Sequence, residues 1–108
     1  MKRVVRNITS EQKYRGTFNK KIHSKFKDIA RKHNRSVSWY LNMKLENINK
    51  DNIELKKYNI TGDYTVKQLF LKKEIHKVVK RESYLKDMAM RDYIQSVMEE
   101  VIKNNRSD

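Results

Sequence analysis

Between Lys13 and Phe18 the chain alternates. Tyr14, Gly16 and Phe18 fall on one face, and Lys13, Arg15 and Thr17 on the other. A period of two predicts a short β-strand. So short a strand is not stable alone, and its open edge calls for a partner. The most economical partner is the same strand of a second copy, which predicts a ribbon shared between two subunits. From Lys20 the period lengthens. Ile22, Phe26, Ile29 and Ala30 recur at helical spacing, with Lys25, Lys27, Arg31 and Lys32 outside. Asn34 suits the left-handed residue that ends this helix, and Ser36 suits the N-cap of the next. Val37, Tyr40, Leu41, Lys44, Leu45 and Ile48 mark that second helix's buried stripe.

The chain is polar from Asn47 to Asn59 and then turns helical again after Thr61-Gly62-Asp63, where Asp63 or Thr65 can cap. Val66, Leu69 and Phe70 open this region, and Ile75, Val78 and Val79 follow. Tyr84, Leu85, Met88 and Ala89 come next, then Ile94, Val97, Met98, Val101 and Ile102. The pattern fits one long helix or two helices broken near Arg81–Ser83. A third reading takes Thr65–Leu71 as a strand and Ile75 onward as helices, a degenerate second copy of the first half. For that reading the spacing between helix and turn is shorter than expected. The expected organisation is therefore a flexible basic arm (1–12), a strand–helix–helix module (13–50), a linker (51–63) and a C-terminal helical segment for oligomerisation or partner binding (64–108).

Composition sharpens the partner class. The formal net charge is +13, and residues 1–50 hold 14 Lys/Arg against 3 Asp/Glu, whereas residues 51–108 hold 12 against 10. Charge gathered into one half points to a polyanion-binding module beside a nearly neutral segment. Lipid would need a long amphipathic helix in the basic half, and none is expected there. With no cysteine there is neither disulfide nor thiolate metal site, and His23, His33 and His76 lack metal-ligand spacing and read as solvent-facing helix residues. Neither a cofactor nor a metal is expected. No apolar run reaches the roughly 18 residues of a membrane span, and no signal segment follows Met1, so a cytoplasmic location is expected. With Gly16 and Gly62 as the sole glycines there is no phosphate loop, and no acid–base pair lies in a visible pocket, so the chain is expected not to be an enzyme. Trp39 and Tyr40 read as packing residues rather than base-stacking ones.

A strand, a helix, a tight Asn34-Arg35-Ser36 turn and a second helix, with Ile29-Ala30, Val37-Ser38, Leu41 and Leu45 in register, resemble the ribbon-helix-helix family of Arc-like repressors. The resemblance covers about residues 13–47. It implies a mostly helical fold in which one N-terminal strand pairs across a dimer and the ribbon enters the DNA major groove. Lys13, Arg15 and Thr17 would then read base edges. Arg35, Ser36, Val37 and Ser38, at the second helix's N-terminus, would hold a phosphate. Lys2, Arg3 and Arg6 would add contacts from the arm. Two positions depart from the family. Gly16 replaces a bulky apolar residue, and Asn19 stands where proline is common.

The function expected on this reading is sequence-specific binding of double-stranded DNA by a homodimer or higher oligomer, used in transcriptional repression. An alternative is an accessory protein of plasmid conjugation that binds a transfer origin and meets a relaxase through its C-terminal helices. An alternative of another class is a protein-binding adaptor or inhibitor whose basic half docks an acidic protein.

Overall fold

The computed structural model describes residues 11–47, 53–58 and 63–106. Strand β1 (Glu11–Asn19) leads directly into helix α1 (Lys20–Lys32). Asn19 makes the transition: its side-chain oxygen accepts the Ile22 N–H at 3.1 Å, an N-cap that does the work expected of proline in the resembling family. Helix α1 ends as the sequence suggests, with Asn34 left-handed at φ 58°. The Asn34 and Arg35 N–H groups close back on the Arg31 and Ala30 carbonyls. Helix α2 (Val37–Glu46) follows, capped by the Ser36 hydroxyl, which accepts the Trp39 N–H at 3.1 Å.

The C-terminal half departs from the all-helical readings and follows the third, with a strand over Thr65–Leu71 and helices from near Ile75. Tyr64–Lys72 is a strand, β2, followed by helices α3 (Lys73–Leu85) and α4 (Met90–Arg106). Val66, Leu69 and Phe70 have helical spacing, but Leu69 and Leu71 also alternate, and pairing with β1 selects the strand. The break expected near Arg81–Ser83 falls instead at Lys86–Ala89. There Asp87 takes the left-handed conformation at φ 55°, and Asp87 and Met88 donate to the Tyr84 and Ser83 carbonyls. This is the same helix ending as in the first half. Asp63 caps nothing in this region; its carbonyl accepts the Lys20 N–H.

Strands β1 and β2 pair antiparallel within one chain, with Arg15 opposite Gln68, Lys13 opposite Phe70 and Thr17 opposite Val66. The expected intersubunit ribbon is thus replaced by an intrachain one. The physical reason lies at its centre. A constant shift of 53 residues relates Glu11 to Tyr64, Lys20 to Lys73, Asn34 to Asp87 and Val37 to Met90. Arg15 and Gln68 are equivalent under that shift and also face each other, so a local two-fold axis passes between them. The same register between two copies of β1 would set Arg15 against Arg15, and like charges directly opposite destabilise a ribbon. Pairing with β2 supplies a neutral amide there.

The two strand–helix–helix units, among the described residues, share a core. Phe18, Phe26, Ile29, Ala30, Tyr40, Leu41 and Leu45 come from the first, and Leu69, Leu71, Ile75, Val79, Tyr93, Ile94, Val97 and Met98 from the second. Gly16 fits because Tyr14 lies over it. A Cβ at position 16 would sit 2.7 Å from the Tyr14 ring, whereas the equivalent site in β2 is filled by buried Leu69. Each unit's second helix also grips the other unit's strand through a buried amide. The Asn42 side chain donates to the Phe70 carbonyl at 2.8 Å and accepts the Lys72 N–H at 2.9 Å. Gln95, its equivalent, accepts the Asn19 N–H at 2.6 Å. Buried amides bonded to the facing strand in this way fix register.

The segment 53–58 lies along α4. Its Lys56 and Tyr58 N–H groups donate to the Ser96 hydroxyl and the Asp92 carboxylate, and the Tyr58 hydroxyl donates to Glu99 at 2.7 Å. Burial and that carboxylate partner push the Tyr58 hydroxyl upward. Burial works against Glu99, but donation from Tyr58 and Lys56 outweighs it and holds the carboxyl low. Among the described residues no helix is long and apolar enough to cross a membrane.

Candidate nucleic-acid interface

The ribbon presents its outer face away from the helices. Cross-strand partners share a face, so Lys13, Arg15 and Thr17 stand with Phe70, Gln68 and Val66. Lys13, Arg15 and Gln68 are exposed, and Thr17 is half-buried. Val66 is 52% and Phe70 38% exposed, whereas Phe18, Leu69 and Leu71 on the opposite face are buried. The three sequence-predicted base readers therefore do occupy one outward row. Their partners Val66, Gln68 and Phe70 were not named as base readers, because the strand over Thr65–Leu71 was the third of the three readings and the helical ones came first. The Leu69/Leu71 alternation was the signal that could have found them.

Arg35, Ser36, Val37 and Ser38 gather at the start of α2, beside β2. The Ser38 hydroxyl accepts the Phe70 N–H at 3.0 Å, which ties this helix end to the ribbon. The Ser36 and Ser38 hydroxyls each accept a backbone N–H, which fixes their oxygens and leaves each O–H to donate. Beside them the site offers an anion the backbone of Val37 and Ser38, whose N–H groups meet no acceptor among the described residues, backed by the helix dipole. The Arg35 guanidinium lies 4.3 Å from the centre of the Trp39 ring, a cation–π contact that holds its charge beside this helix end. Trp39 is 46% exposed, contrary to the packing role expected of it, whereas Tyr40 is buried. Trp39, Asn42, Met43, Phe70 and Lys72 line a shallow groove between α2 and the ribbon edge.

The equivalent end of α4 is chemically different. Met88 and Ala89 replace Arg35 and Ser36, and Asp92 replaces Trp39. Asp92 is an acidic residue in the first turn. A carboxylate there already answers the positive end of the dipole, so this end attracts phosphate less than that of α2.

Lys2, Arg3 and Arg6, the expected arm contacts, lie outside the described residues, as does Ile48 of the expected α2 stripe. His23 is not solvent-facing: it is buried with its ring 6.2 Å from that of Phe18. Burial, with Lys67 and Lys27 nearby, lowers its pKa, and burial and Lys80 do the same to His76. Among the described residues no cluster of His, Asp and Glu is arranged to hold a metal ion. Compared with protein-family models, curated proteins and solved structures, the chain matches none.

Proposed function

We propose that the chain binds double-stranded DNA by laying the β1–β2 ribbon in the major groove, as members of the ribbon-helix-helix family do. One observation carries the reading. A two-stranded ribbon turns Lys13, Arg15, Thr17 and Gln68 outward together while Phe18, Leu69 and Leu71 of its other face pack into the core. The major groove admits such a ribbon and distinguishes all four base pairs by their donors and acceptors. Arginine matches the paired acceptors of guanine, and glutamine matches adenine. The free end of α2 with Arg35 supplies a phosphate anchor that sets register. The narrow major groove of A-form RNA does not admit the ribbon. The use we infer is repression by occupying an operator.

Selection of random duplexes on the purified protein, followed by titration of the enriched site at several salt concentrations, tests this. An enriched motif bound tightly is the expected outcome. Arg15→Ala should then cost about 1–3 kcal/mol and relax preference at one base position. Arg35→Ala should weaken all sequences alike and reduce the salt slope by about one. Weak, steeply salt-dependent binding without a motif would mean a generic polyanion surface and favour the adaptor reading. Equal losses on specific and random DNA for Arg15→Ala would remove the ribbon from the interface.

A further inference from the structure

We infer that the site read by one chain is a single non-palindromic stretch of duplex whose two halves differ in base chemistry. This deepens the DNA-binding reading and rests on it. The backbone of the ribbon is two-fold about the Arg15–Gln68 pair, but the side chains it turns outward are not. Under the 53-residue shift Lys13 becomes Val66, Arg15 becomes Gln68 and Thr17 becomes Phe70. One strand thus offers two cations and a hydroxyl. The other offers an amide between two apolar groups, of which Val66 and Phe70 stand exposed. Bidentate arginine selects guanine, bidentate glutamine selects adenine, and exposed apolar side chains suit the thymine methyl. The β1 half is therefore suited to a guanine-bearing half-site and the β2 half to an A·T-rich one.

The anchors are unequal in the same sense. Arg35 and the open Val37 and Ser38 N–H groups flank one end of the ribbon. At the related end Asp92 sits in the first turn of α4, and its carboxylate accepts the Tyr58 N–H. One orientation on the duplex is thereby favoured over its reverse. A homodimeric ribbon has no such means, because its two halves carry the same groups.

The test compares three duplexes built from the enriched site: the site itself and two symmetrised versions, each repeating one half as an inverted repeat. Each symmetrised duplex should bind more weakly by about 10-fold or more, since each mismatched contact alone is worth about 5- to 150-fold. Val66→Lys, which gives β2 the group that Lys13 offers from β1 and faces the neutral Thr17, should move the preference at its own base toward guanine and raise affinity for the duplex that repeats the β1 half. A self-complementary enriched motif, or a symmetrised duplex bound as tightly as the selected one, would overturn the asymmetry and leave DNA reading intact. Binding without any motif would overturn both.

Discussion

The two strand–helix–helix units share a backbone plan but divide the chemistry between them. Residues 11–46 carry an N-capping asparagine at the start of α1 and a capping serine at the start of α2. Residues 64–106 have Lys72, without a side-chain cap, where the first unit has Asn19. What survives in both is what the shared core and the turn require. Ile22 and Ile75, Tyr40 and Tyr93 are identical, Leu41 becomes Ile94, Asn42 becomes Gln95, and a left-handed residue ends the first helix of each. Packing and register are held in common, whereas the outward ribbon face and the helix ends beside it are free to differ. Inner positions differ as well, as Gly16 and Leu69 or Phe26 and Val79 show, but the outward row changes its chemistry most, from two cations and a hydroxyl to an amide between apolar groups.

Breaking the buried amides gives the largest effect and tests whether the two cross-grips are equivalent. Asn42→Leu strands the Phe70 carbonyl and the Lys72 N–H, and should cost about 2–4 kcal/mol. Gln95→Leu strands the Asn19 N–H and should cost less, about 1–2 kcal/mol. Urea-unfolding midpoints of the two variants check the order; equal losses would mean the grips are interchangeable. Exchanging the caps is the next smaller effect. Ser36→Ala should lose about 1 kcal/mol, and Ala89→Ser should gain a fraction of that by supplying α4 with the missing hydroxyl. Thermal unfolding of both variants reads the sign directly.

The smallest effect is a pH dependence from the equivalent histidines. Burial lowers both below the ordinary 6.5. The unfolded chain therefore takes up protons first as pH falls. Above 6.5 both imidazoles are neutral in either state and their contribution is whole; below it stability is lost until the folded-state values are passed. His23→Gln should flatten stability between pH 7 and 5 relative to the parent, and proton NMR titration should place His23 below the ordinary value.

The first unit was legible because its signals are local. Asn34 and Ser36 act within a few residues of themselves, and the step from a period of two to helical spacing falls at the β1–α1 boundary. The second unit was legible only as one reading among three, for the same reason. Lys86-Asp87-Met88-Ala89 makes the same turn as His33-Asn34-Arg35-Ser36 without its glycine-like or capping cues, so its spacing read as too short when it is identical. Tyr64–Lys72 carries helical spacing and a short alternation at Leu69 and Leu71 together, and the long-range pairing with β1 decides between them. Half of the outward row, Val66, Gln68 and Phe70, was lost with that strand. Trp39 was misplaced because its exposure depends on the ribbon edge it stands beside.

The central claim is that one chain holds both halves of a DNA-reading ribbon. Native mass spectrometry of the protein with the enriched duplex tests it most directly. A complex of one chain per duplex, already saturated at equimolar mixing, is the result predicted. Two chains on a minimal site would contradict it, because the ribbon would then be completed between copies rather than by β2 of the same chain.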